Sequence, residues 1–102
     1  MNSLRKMVEK EDQITLIASF YAASVGSFLD ENDRSTRTNY IIYIYRVDQA
    51  LNSLNERYRE LIKNDFFDGE KPMWWKSIYS SRLYLNMRGR AVGSFLTHFY
   101  EN

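Results

Sequence analysis

Arg82, Asn86 and Arg90 stand four residues apart in a segment that also holds Ser80, Ser81, Leu85 and Arg88 and is preceded by Lys71 and Lys76. These side chains suit one kind of recognition. A guanidinium can make a paired contact to guanine O6 and N7, a carboxamide can do the same to adenine N6 and N7, and a serine hydroxyl serves a base edge or a phosphate. Lys71, Lys76, Arg88 and Arg90 would hold phosphates and so set position, while Arg82 and Asn86 would read. Free N–H groups in the first turn of a helix opening at Ser80 would add further phosphate donors. Residues 1–70 carry 9 Lys/Arg against 12 Asp/Glu, and residues 71–102 carry 5 against Glu101 alone, so a net charge of +1 conceals a basic C-terminal third. Such a stretch attracts a phosphate backbone. With four or five phosphates neutralised, log affinity would fall with log salt at a slope of about −4. A basic terminal helix is equally well explained as a solvated face, and both readings stand at this point.

Other chemistries find little support. There is no cysteine and His98 is the one histidine, so the usual nucleophile–base pairs are missing and no catalytic activity is expected. Asp65, Asp68 and Glu70 cluster around Gly69, but their spacing is not that of a calcium loop, and a helix C-cap explains them better. No glycine-rich loop leads from a strand into a helix, and neither a metal nor a cofactor is expected. Gln13 to Leu29 is an uncharged run behind Arg5, Lys6 and Lys10. Glu9, Glu11 and Asp12 abut it, its serines interrupt it, and its 17 residues fall short of the ~20 a membrane span needs, so neither export nor insertion is expected. The expected location is the cytoplasm.

The elements that would position the reading residues are helical. Ile14, Ile17, Tyr21, Val25 and Phe28 recur at helical spacing, with Leu16, Phe20 and Leu29 widening the stripe, which predicts a helix over 12–30 started by Asp12. Tyr40 to Tyr45 has the β-branched and aromatic content of a strand, which stays open as an alternative. Its continuation through Val47, Leu51 and Leu54 favours a helix over 36–54 capped by Ser35 or Thr36. Asn55 then caps a helix running to Phe66, with Glu56 in its first turn and Gly69 closing it. Pro72 suits the start of a short helix to Tyr79, and Ser80 or Ser81 caps a final helix to Phe99.

In that last helix Tyr84, Met87, Ala91, Val92 and Phe95 form an inward stripe, which leaves Ser81, Arg82, Leu85, Asn86, Gly89 and Arg90 outward. A short helix, a turn and a long helix with a polar outer face make a helix-turn-helix, whose second helix enters the major groove. Val25 to Leu29 recurs as Val92 to Leu96; coincidence explains this, or else Gly26 and Gly93 mark close helix contacts. Trp74 and Trp75 read as one core residue and one partly exposed residue, since adjacent helical positions point about 100° apart.

The run Ala50-Leu51-Asn52-Ser53-Leu54-Asn55-Glu56-Arg57-Tyr58-Arg59-Glu60-Leu61-Ile62, with Asp65-Phe66-Phe67 after it, resembles the opening of the sigma-70 region 4 helix-turn-helix. Ile78 to Val92, through Phe95, is similar to its recognition helix, most of all in the tyrosine-rich form of ArpU-like phage transcriptional regulators and related small sigma-like proteins. The likeness covers about 47–99. It implies that Ser80 opens the recognition helix, that Ser81, Arg82, Leu85, Asn86 and Arg90 face DNA, and that Tyr84, Met87, Ala91 and Phe95 face inward. The chain departs from the pattern at Leu85, Gly89 and Gly93, and at Trp74-Trp75, where a small alanine usually packs.

The expectation is thus one all-α domain over 1–102 with about five helices: an N-terminal helical hairpin over 1–54 and a C-terminal, sigma region 4-like helix-turn-helix unit over 55–102. Its function would be DNA-binding transcription regulation, with double-stranded DNA as partner and RNA polymerase or a second copy of the chain as further ones. The alternative is a non-catalytic helical adaptor that binds a protein partner, such as RNA polymerase or itself, through Trp74, Trp75 and Leu85. Helix 12–30 is the element expected to join two copies.

Overall fold

The computed structural model describes residues 2–69 and 71–101, and among them the regular structure is entirely helical. Four α-helices follow one another: α1 (Asn2–Asp30), α2 (Arg34–Asn52), α3 (Glu56–Ile62) and α4 (Ser81–Glu101). A π-helical segment, Lys63–Asp68, continues α3. The fifth, short helix expected over 72–79 is not formed, and the strand alternative at Tyr40 to Tyr45 gives way to helix. Glu70, part of the expected acidic cluster, lies outside the described residues.

α1 and α2 form an antiparallel hairpin whose shared face carries Ile14, Ile17, Ala18, Val47, Ala50 and Leu51, all buried. α1 is far longer than the apolar run alone predicts, because the charged residues from Arg5 to Asp12 continue the helix ahead of the core-facing stripe. The cap of α2 also differs from expectation. Asp33 lies in extended backbone and accepts both the N–H and the hydroxyl of Thr36, at 2.9 and 2.8 Å, so the aspartate ahead of the serine and threonine satisfies the free N–H groups. Those two bonds hold the Asp33 carboxyl below its ordinary range.

Asn55 caps α3 by accepting the Tyr58 N–H at 2.9 Å, with Glu56 in the first turn, as its residue types predict. Arg59 reaches back from α3 and donates to the carbonyls of Leu51, in the last turn of α2, and of Leu54, in the link that follows it, tying the two helices together. Arg46 does the same for α4, donating to the Phe99 carbonyl at 3.0 Å while lying over the Phe99 ring. Gly69 closes the π-helical segment at φ +60°, the left-handed conformation expected of it, with its N–H on the Asn64 carbonyl.

One core joins all these elements. Leu61 and Ile62 from α3 meet Tyr84, Met87, Ala91, Val92, Phe95, Leu96 and Phe99 of α4 against the hairpin residues. The inward stripe read from the sequence of α4 is therefore the face that folds the protein. Leu16, Phe20 and Leu29 do not widen the stripe of α1. They are 63, 65 and 75% exposed on its solvent side. Neither Gly26 nor Gly93 would bring an added Cβ within 4 Å of a neighbour, so the repeated pentapeptide marks no close helix contact.

Candidate nucleic-acid interface

The N-terminal half of α4 is fixed by the turns that precede it and by one carboxylate. Residues 71–79 form consecutive turns, with the Lys76 N–H on the Met73 carbonyl and the Ile78 and Tyr79 N–H groups on the Trp75 carbonyl. Met73 sits at φ +58°, a left-handed conformation that interrupts any helix there. The side chains show why a helix is disfavoured. Trp75 stacks on the Tyr84 ring at 4.2 Å between centroids and 8° between planes, while Trp74 meets the same ring edge-on at 6.3 Å. Adjacent residues on a helix point about 100° apart and could not both reach one ring. Both tryptophans end up half-buried, in place of the expected split between core and surface.

Asp65, in the π-helical segment, is the centre of this arrangement. Its carboxylate accepts the Trp74 indole N–H at 2.8 Å, the Tyr84 hydroxyl, and the Arg88 Nε–H at 3.1 Å. The π-helical geometry leaves Asn64, Asp65, Phe66 and Phe67 all half-buried in succession. Phe66 lies beneath the Arg88 guanidinium, at 4.9 Å from its ring centre, and Phe67 packs edge-on against Tyr21 and Phe95. Arg88 completes the network with an ion pair to Glu11 of α1 at 2.8 Å. Burial works against its charge, but Glu11 and its other partners outweigh that and raise its pKa above the ordinary value. Burial, reinforced by the bond to Asp65, likewise pushes the Tyr84 phenol well above its usual range.

Arg88 is therefore corrected from a phosphate contact to an internal tie. Its side chain is only 25% exposed and it is held by two carboxylates, so its charge is compensated before any ligand arrives. Asp65 was expected to serve only in a helix cap. Nothing local distinguishes it from Asp68; the signal is the coincidence of one acid with a tryptophan, a tyrosine and an arginine distant in sequence.

The remaining expected site residues are all exposed: Lys71, Lys76, Ser80, Ser81, Arg82, Leu85, Asn86 and Arg90. Ser80 opens α4 as expected, its hydroxyl accepting the Leu83 N–H at 3.2 Å. Leu85 and Asn86 follow Arg82 by three and four residues and Arg90 follows Asn86 by four, so the four share one broad face over the first turns of α4. Among the described residues, neither Arg82 nor Arg90 has a carboxylate within ion-pair reach. The face is not purely polar, because Leu85 is 61% exposed within it, with Ile78 and Leu83 exposed nearby.

Among the described residues no group of acids and histidine could hold a metal ion, and no helix is long and apolar enough to cross a membrane. No family model matches the chain and no solved structure matches it. The likeness to sigma region 4 rests on the residues quoted for it.

Proposed function

We propose that this chain is a DNA-binding transcription regulator that lays the outer face of α4 in the major groove of double-stranded DNA, in the manner of a sigma region 4-like helix-turn-helix. One observation carries the reading: Arg82, Asn86 and Arg90 are exposed together on the opening turns of α4, on a segment without acids, while the opposite side of the same turns is locked into the core. A reading helix needs that division, with a fixed back and a free front able to form paired contacts to base edges. Lys71 and Lys76 lie on the preceding turns, where a phosphate backbone flanking the groove would pass. The turns at 71–79 take the place of the scaffold helix, and the Asp65 network sets the angle between the π-helical segment and α4 that such a helix would otherwise set.

Selection from random duplexes at two salt concentrations, followed by titration on the selected site, tests this reading. Three phosphate contacts from Lys71, Lys76 and Arg90, with Arg88 withdrawn, give a slope of log affinity on log salt of roughly −2.7. Arg82→Ala and Asn86→Ala should each cost about 1–3 kcal/mol on the selected site and relax one base position. Binding by both variants that equals wild type on every duplex would refute the assignment.

The exposure of Leu85, Leu83 and Ile78 favours one other reading, in which the same face docks a protein. Salt separates the two. An apolar interface changes little between 50 and 200 mM salt, roughly the range over which a phosphate-driven complex weakens steeply.

A further inference from the structure

The amino-terminal turns of α1 come up beside the reading face. The Met7 methyl carbon stands 3.2 Å from where a Cβ on Gly89 would lie, and Gly89, read from the sequence as outward, is half-buried beside it. Glu11 pairs with Arg88 at 2.8 Å, and Gln13 accepts the Tyr100 hydroxyl at 3.2 Å. At about 100° per residue, Gly89 and Tyr100 fall within about 20° of Arg82 round α4, whereas Arg88 falls about 120° away. α1 therefore turns its Gln13 flank toward the outer face of α4 and its Glu11 flank toward the Asp65 network. Lys6 and Lys10 fall within about 60° of Gln13 and at least about 100° from Glu11. Both are exposed, and among the described residues neither has a carboxylate within ion-pair reach.

We propose that Lys6 and Lys10 hold DNA phosphates on the wall of the groove that receives α4, so that α1 belongs to the nucleic-acid interface. The inference rests on the DNA-binding reading and extends it to an element outside the stretch that resembles sigma region 4. Spacing is the first argument. Packed helices lie about 8–10 Å apart, axis to axis, and the major groove is about 12 Å wide, so a helix packed beside one seated in the groove meets the backbone that borders it.

Charge is the second. Glu11 is neutralised by Arg88, and Glu9 and Asp12 lie about 80° and 140° round α1 from the midpoint of the two lysines. The flank beside α4 is left cationic, next to a helix front that carries Arg82 and Arg90 and no acid. The same placement gives α1 a reason to begin so far ahead of its apolar stripe. Lys6, Met7, Val8, Glu9 and Lys10 are all exposed, so core packing does not account for these turns.

Salt titration of the full chain on its selected duplex tests the proposal. Two further contacts, added to the three from Lys71, Lys76 and Arg90, take the wild-type slope from roughly −2.7 to roughly −4.5. Lys6→Ala combined with Lys10→Ala should return it to roughly −2.7, so that the wild-type advantage shrinks about twelvefold between about 50 and 200 mM salt, with the preferred base at each position unchanged. Lys6→Arg combined with Lys10→Arg should keep the wild-type slope. Arg34→Ala, past the far end of α1 and roughly 35 Å from Met7 along it, should keep it too. A double alanine variant with the wild-type slope, on a duplex where Arg82→Ala still relaxes a base position, overturns this inference and leaves the reading face standing. An equal fall in slope for Arg34→Ala, or for the arginine pair, overturns it as well, and a wild-type chain that binds no duplex overturns both.

Discussion

Replacing Asp65 by alanine should destabilise the fold by about 3 kcal/mol, because one carboxylate serves donors from three directions. Hydrogen bonds to a charged group contribute ~1.5–3 kcal/mol each when lost singly, and stripping one partner from a buried ion pair costs ~3–5 kcal/mol. Two opposing features place the expectation at about 3 kcal/mol, the lower figure for stripping one partner from a buried pair. The Arg88 side chain is 25% exposed and keeps Glu11, so water and the second carboxylate take over part of its solvation. The Asp65 side chain is 12% exposed, so the Trp74 and Tyr84 donors it leaves behind gain only limited access to water. Asp65→Asn should cost about 2 kcal/mol, since its amide keeps one acceptor but turns a second donor toward existing donors.

Urea unfolding followed by tryptophan fluorescence is the natural assay, because Trp74 and Trp75 lie within the network. For a domain of this size, 3 kcal/mol corresponds to a fall in Tm of roughly 12–24 °C. Asp68→Ala, at an exposed neighbouring position, should stay within about 0.5 kcal/mol of wild type. A double-mutant cycle with Arg88→Met should give a coupling of about 1–2 kcal/mol. An Asp65→Ala protein as stable as Asp68→Ala, or additivity of Asp65→Ala and Arg88→Met, would refute the claim that this carboxylate holds α4 in place.

Three further outcomes are expected. Gly93→Ala and Gly26→Ala should each stabilise the protein by about 0.5–1 kcal/mol in urea titrations, since an added methyl meets nothing within 4 Å and lowers the entropy of the unfolded chain; Gly89→Ala should gain less, because its methyl would crowd the Met7 methyl carbon. Tyr84 keeps its phenol proton in the folded state beyond the point, near pH 10, where the unfolded chain loses it, so its contribution is complete below about pH 10 and fades as the pH rises further. Urea midpoints measured from about pH 9 to 11 should fall less steeply in Tyr84→Phe than in wild type, with a residual slope from Tyr21 and Tyr43, whose phenols are also raised by burial. Asn55→Ala should cost about 1 kcal/mol in the same assay through loss of the α3 cap, and Asn55→Asp should recover most of it.

The elements legible in the sequence are those whose causes are local. Asn55 with Glu56, Gly69, Ser80 and the stripe from Tyr84 to Phe95 each declare themselves within a turn or two, by cap chemistry or by helical period. Failures begin where a side chain answers to a distant one. Pro72 permits a helix, yet Trp74 and Trp75 both take Tyr84 as partner, and that shared demand bends the backbone into turns. Arg88 looks like its neighbours Arg82 and Arg90 in type and spacing. Its role is set by Glu11 and Asp65, from two other elements, which no local pattern encodes. Leu16 and Phe20 depart for a related reason: their apolar types suit a helix buried on all sides, while α1 has neighbours on one side only and leaves both largely to solvent.

The withdrawal of Arg88 also bears on how the proposed reading face works. A helix carrying three arginines within nine residues, 82 to 90, would spread positive charge around much of its circumference if all were free, and would attract phosphate in many orientations. With Arg88 turned onto Glu11 and Asp65, the uncompensated cations of α4 lie on the side that Asn86 also occupies. The network that fixes α4 in the core thereby gives its charge a direction. Orientation is what separates reading from general attraction, because base-edge contacts need a defined register that phosphate contacts supply only when they lie to one side. The folding role of Asp65 and the proposed recognition role of Arg82 and Asn86 are in this sense one arrangement, seen from the two faces of the same three turns.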